Sequence, residues 1–179
     1  EKENIDTANI SDEMMITLMG GLAQEESVSI SQNMRWANRK RMADGSYKIS
    51  CPPYGFSICN GRLEINETEA KIVRNIFTWY LSGYGITKIA NILNDLKIPS
   101  SISKSAWSFF SVKYILTNER YIGDAVFQKT YKTTTLPYMK KINHGEYEKY
   151  YVSGINDAIV DKLDFEKVRE LLAIRGQKA

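Results

Sequence analysis

The sequence predicts an α+β fold that is mainly α: a long N-terminal helix, then a three-helix, helix-turn-helix-like core with small β-hairpins, then a C-terminal helix. Three observations carry that expectation. No proline occurs before Pro52, and apolar residues recur at helical spacing through residues 14–37. Three shorter segments of the same period follow between residues 66 and 117, bounded by polar caps and glycines. Asn60-Gly61 divides residues 54–65 in the manner of a tight hairpin turn.

At 179 residues, 43% hydrophobic and 25% charged, with four prolines and eleven glycines, the composition is that of a globular chain. Residues 1–10 read as a tail, residues 11–45 as the long helix and residues 46–179 as the folded body. No stretch of about 18 apolar residues and no charged-then-apolar leader is seen, so neither a membrane span nor a secretory signal is expected. Cys51 and Cys59 are too few for a disulfide framework, and their spacing is not that of a zinc site, which fits a reduced, cytoplasmic setting. With one histidine, His144, a histidine metal site or a Ser-His-Asp triad is not expected.

Ser11 offers an N-cap, and Asp12 and Glu13 place negative charge in the first turn. Met14, Leu18 and Leu22 form one row, with Met15, Met19 and Ala23 beside it, and Ile30, Met34 and Ala37 continue the pattern. Gly20-Gly21 is the weak point where the rod is expected to bend or break. Asp44-Gly45 is the stop signal. Such a helix, about 50 Å long, exceeds the width of a small domain. Either it lies partly on its own body, or Met14, Met15, Leu18, Met19 and Leu22 pack against a second copy or a neighbouring domain.

In the body, Asn66-Glu67-Thr68-Glu69 matches a capping box, opening a helix to about residue 82 with Ala70, Val73, Phe77, Tyr80 and Leu81 inward. Ile86, Ile89, Ala90 and Leu93 define a second helix that stops near Lys97. Ser108 caps a third, reaching about Thr117 and burying Val112, Ile115 and Leu116; Trp107, Tyr54 and Phe56 read as packing residues. Residues 121–129 have strand character and residues 147–152 are expected to pair with them, leaving residues 130–145 as a polar flap. A last helix is expected over about residues 164–174.

Charge is unevenly placed. The net +3 divides into −6 over residues 1–27 and +9 over the remainder, so the body is suited to a polyanion. Arg35, Arg39, Lys40, Arg41 and Lys48 give residues 35–48 a net +4 and are candidate phosphate contacts. If the third helix enters a groove of duplex DNA, Phe110, Ser111, Lys113 and Tyr114 face outward, with Lys88 and Lys104 able to reach phosphates. No phosphate-binding glycine loop, zinc-protease helix or acidic metal cluster is present, so no catalytic residue and no cofactor is assigned.

Together these segments resemble the recombinase domain of large serine site-specific recombinases, the phage integrases and transposon resolvases of bacteria. The matching stretches are Pro52-Pro53-Tyr54-Gly55-Phe56, Glu69-Ala70-Lys71-Ile72-Val73 with Ile76-Phe77, Ile89-Ala90 with Leu93-Asn94, and Ile98-Pro99. Trp107, Val112, Ile115-Leu116-Thr117-Asn118, Tyr121-Ile122-Gly123 and Ala158-Ile159-Val160 with Phe165 and Val168 continue it. Gln24-Glu25-Glu26-Ser27, with Asn33, Trp36 and Arg39, is most similar to clostridial transposon resolvases.

The resemblance implies double-stranded DNA as partner, with sequence-specific binding at attachment sites during integration or excision of a mobile element. It also implies dimer and tetramer contacts through the long helix. A catalytic serine domain is expected upstream, with residues 1–10 as its tail, and the zinc ribbon that usually follows is not seen after Cys59. Two rival readings remain at this point: a helix-turn-helix transcriptional regulator, and a non-catalytic module that recruits a protein through its helix.

Overall fold

The computed structural model describes residues 10–100, 106–133 and 135–176, the first three of these by backbone alone. Helix α1 (Ile10–Ala43) is unbroken over 34 residues. It starts one residue before Ser11, which therefore lies inside the helix and is not its cap. It also runs straight through Gly20-Gly21, against expectation. Glycine weakens a helix by about 1 kcal/mol but keeps its N–H, so the hydrogen-bond ladder continues where a proline would cut it.

The helix ends where expected. Asp44 N donates to Lys40 O (3.0 Å) and Tyr47 N to Arg41 O (2.9 Å). Gly45 turns left-handed at φ +77°, and a Cβ there would lie 3.0 Å from Val152 Cγ1. Tyr47 then meets the ring of Phe127 edge-on at 5.6 Å.

Strands β1 (Phe56–Cys59) and β2 (Arg62–Ile65) pair antiparallel, Phe56 opposite Ile65 and Cys59 opposite Arg62. Asn60 (φ 50°) and Gly61 (φ 77°) are both left-handed, as a two-residue hairpin of this twist requires. Helix α2 (Glu67–Leu81) is capped by Asn66, whose side chain accepts from Thr68 N and Glu69 N. The expected reciprocal bond from Glu69 is diverted: its carboxylate accepts from Gly55 N at 2.8 Å, while Asn66 N donates to Gly55 O at 2.9 Å. The cap thereby fastens the hairpin to the helix. Ala70, Val73, Ile76, Phe77 and Tyr80 are buried and Leu81 only half so; Ile76 widens the expected face.

Helix α3 (Ile86–Asp95) buries Ile89, Ala90 and Leu93, and α4 (Phe109–Thr117) buries Val112, Ile115 and Leu116. Of the strand expected over residues 121–129, only residues 125–127 form one, paired with residues 150–152 as expected. Glu119–Ile122 is a 3₁₀ turn, and Tyr121 within it is fully buried, its hydroxyl donating to Tyr54 O at 2.9 Å. Tyr121 O accepts from both Ile159 N (2.9 Å) and Val160 N (3.0 Å), tying this turn to the chain that leads into the last helix.

The remaining strands are β3 (Ala125–Phe127), β4 (Thr130–Lys132), β5 (Lys140–Ile142) and β6 (Tyr150–Val152). β3 pairs with β6, and β4 with β5 in a separate hairpin that forms the flap. Helix α5 (Lys162–Gly176) begins two residues earlier than expected and packs on α2 and α4. Phe165 and Val168 belong to the same core as the other helices, so four helices share it where three were expected. Trp107 joins that core with its ring edge-on to Tyr54 at 5.1 Å.

Candidate nucleic-acid interface

The start of α4 is held from two directions. The Asn94 amide clasps Trp107, accepting from its N–H at 2.7 Å and donating to its carbonyl at 2.9 Å, which ties the end of α3 to the entry of α4. Trp107 Nε1 donates to Ile98 O at 2.9 Å. Ser108 and Ser111 then close a capping box. Ser111 is half-buried, and its hydroxyl accepts from Ser108 N and donates to Ser108 O, both at 2.8 Å. That hydroxyl is engaged at the helix end, while Ser111 itself stays partly accessible.

The rest of that set is presented to solvent: Phe110 is 79% and Tyr114 54% exposed, and Lys113 is exposed beside them. Phe109 and Phe110 meet edge-to-face at 5.6 Å, and Lys113 Nζ lies 5.8 Å from the Phe109 ring. This leaves α4 with a ridge of two aromatic edges, a phenol and a cation.

Cations flank the ridge. Arg120, overlooked by sequence reasoning, is half-buried with its guanidinium 5.2 Å over the Phe127 ring. Burial pushes its pKa down, yet a guanidinium stays charged at any physiological pH. Tyr114 is pushed above its ordinary value by burial and by nearby Cys51, with Arg120 opposing, which places all three in one neighbourhood. Lys48, Arg62 and Arg120 line a cavity of about 670 Å³ with Asp44, whose carboxylate is engaged by the N–H and hydroxyl of Ser46. Lys48 Nζ reaches to within 3.2 Å of the Cβ position of Gly61 at the hairpin tip.

The other sequence candidates are spread out. Lys40 lies over the exposed Trp36 ring at 5.6 Å, and Arg41 bonds Asn38 at 3.4 Å. Arg35 and Arg39 face the flap across a cleft. Lys88 sits on α3 above the Tyr84 ring at 4.7 Å. Lys104 lies outside the described residues. Met14, Met15, Leu18, Met19 and Leu22 are all exposed on the far half of α1, Met14 at 73%. Among the described residues no group of three His, Cys, Asp or Glu could hold a metal ion, and no helix is long and apolar enough to cross a membrane.

The arrangement is an exposed helix edge of aromatic rings and a lysine, with the Arg120, Lys48 and Arg62 cations grouped to one side. The family described as Recombinase matches residues 67–175. The fold is that of a solved LSR–DNA complex, with TM-score 0.56 and 21% identity over 80% of this chain and 38% of that one. It is also that of a structure from work on the sequence requirements of the Listeria innocua prophage attP site, with TM-score 0.53 and 22% identity over 79% and 51%. The chain belongs to the Recombinase family, and the resemblance to large serine recombinases drawn from Pro52 onward stands with it. It spans 38% and 51% of the two chains it resembles, well under two thirds of either.

Proposed function

We propose that this chain is the DNA-holding part of a large serine recombinase and binds duplex DNA at the attachment sites of a mobile element. In this reading α3 and α4 act as a helix-turn-helix-like pair. Phe110, Lys113 and Tyr114 meet base edges and backbone in the major groove, and Lys48, Arg62 and Arg120 hold the flanking phosphates. Strand cleavage is assigned to a catalytic serine domain on other polypeptide. The apolar far half of α1 is assigned to dimer and tetramer contacts in the whole recombinase. The observation that supports this best is the exposed edge of α4 beside the Arg120 cation, which has no carboxylate ion pair among the described residues.

The test is selection of duplexes from a random pool, followed by titration of the winner against an unrelated duplex at several salt concentrations. The selected duplex is expected to bind at least about a thousandfold more tightly. Lys113→Glu is expected to weaken binding and flatten the salt slope by about 0.9 for each phosphate it no longer neutralises. Equal affinity for every duplex would overturn base readout, and no binding to any duplex would overturn the function.

A further inference from the structure

The flap has no role in the function proposed above, yet it faces the basic end of α1 across a cleft of about 430 Å³. Arg35, Arg39 and Met42 line it from the helix, and Tyr131, Lys132 and Tyr138 from the flap. Arg35 and Arg39, one helical turn apart, share a face about 6 Å long. Lys132 stands opposite, its ammonium 5.8 Å from the Tyr138 ring centroid. Three cations therefore converge from two elements, no carboxylate lines the cleft, and none of the three is ion-paired among the described residues. Glu146, just beyond the flap, accepts from His144 N at 2.7 Å.

The flap is held in place. Asn143, 1% exposed, donates through its amide to Gln128 O (2.8 Å) and Tyr147 O (2.7 Å) and accepts from Gly145 N (3.0 Å) and Tyr147 N (3.2 Å). The Tyr131 ring packs on Tyr147 at 4.8 Å, and Met139 N donates to Thr133 Oγ1 at 2.8 Å. A buried amide with every donor and acceptor answered fixes the hairpin base, so Lys132 is presented at a set position opposite Arg35 and Arg39.

We infer that this cleft is a second binding site, a clamp in which the sugar-phosphate backbone of duplex DNA lies between the basic end of α1 and the flap. Charge selects an anion, and phenolic and threonine hydroxyls supply the neutral donors that phosphate oxygens take. Met42, which lines this cleft, lies six residues before Lys48 of the cation-lined cavity. The inference rests on the DNA-binding reading and extends it to residues far from α4 in sequence.

The experiment compares wild type, Lys132→Glu and Lys113→Glu on the selected duplex across a salt series. In parallel, lysine acetylation is mapped with and without DNA. Lys132 is exposed, so folding is spared, and circular dichroism verifies that. Release of one phosphate shallows the salt slope by about 0.9, which is about an eightfold weaker affinity at 0.1 M salt. Lys132 is expected to become protected from acetylation on DNA, while Lys71, exposed on α2, stays reactive. If Lys132→Glu binds as wild type while Lys113→Glu does not, the clamp is overturned and the DNA reading survives. If wild type binds no duplex, both fall. If Lys132→Glu instead abolishes association between copies of the chain, an acidic protein segment occupies the cleft, and the clamp is overturned.

Discussion

The far half of α1 and the helices of the body are built from similar apolar residues and end in opposite circumstances. Between residues 13 and 30 every described side chain is exposed, Met14, Leu18 and Leu22 included. In the body, Tyr80, Leu93, Ile115 and Tyr121 are wholly or almost wholly enclosed. Apolar periodicity alone predicts a helix in both places but not what the helix lies against. That depends on whether a second apolar surface is tethered close by, as α3, α4 and α5 are to α2. A helix as long as α1 leaves its own body behind after the first few turns from the Gly45 end.

Three substitutions sharpen or break this contrast. The largest effect is expected for Tyr121→Ala, which empties the middle of the core and orphans Tyr54 O. Urea unfolding is expected to show a loss of about 3–5 kcal/mol. Asn94→Ala removes the two bonds from the Asn94 amide to the Trp107 backbone and leaves that N–H and carbonyl half-buried without them, while Trp107 Nε1 keeps Ile98 O. A loss of about 2 kcal/mol is expected, together with weaker duplex binding as α4 loses its fixed entry. The smallest is Leu18→Ala, with a change within about 0.5 kcal/mol in the monomer. A cost there above about 1 kcal/mol would show that α1 folds back on the body, and the contrast would fail.

Much of the fold is legible in the chain because its signals are local. Ser108 announces the start of α4, Asn60-Gly61 announces the hairpin, and the spacing of Val112, Ile115 and Leu116 announces the buried side. The candidate interface is less so. Phe110, Lys113 and Tyr114 follow from that same spacing, being what remains outside. Arg120 does not, because it sits in a 3₁₀ turn with no amphipathic period to orient it, and its place depends on Phe127 seven residues later. The second role of Ser111 is not legible, because a hydroxyl can serve either a groove or its own helix end, and the spacing does not say which. Lys132 faces Arg35 from almost a hundred residues away, a proximity that exists only once β4 and β5 have paired.

The junction at Gly45 has a mechanical side. At 1.5 Å per residue the 34 residues of α1 form a rod of about 51 Å. It is pinned near one end, where Tyr47 meets Phe127 and Gly45 abuts Val152. A tilt of about 10° at that pivot sweeps the opposite tip through about 9 Å. Under the proposed function, any tilt of the body on DNA would be amplified at that tip into a displacement wider than a methionine side chain.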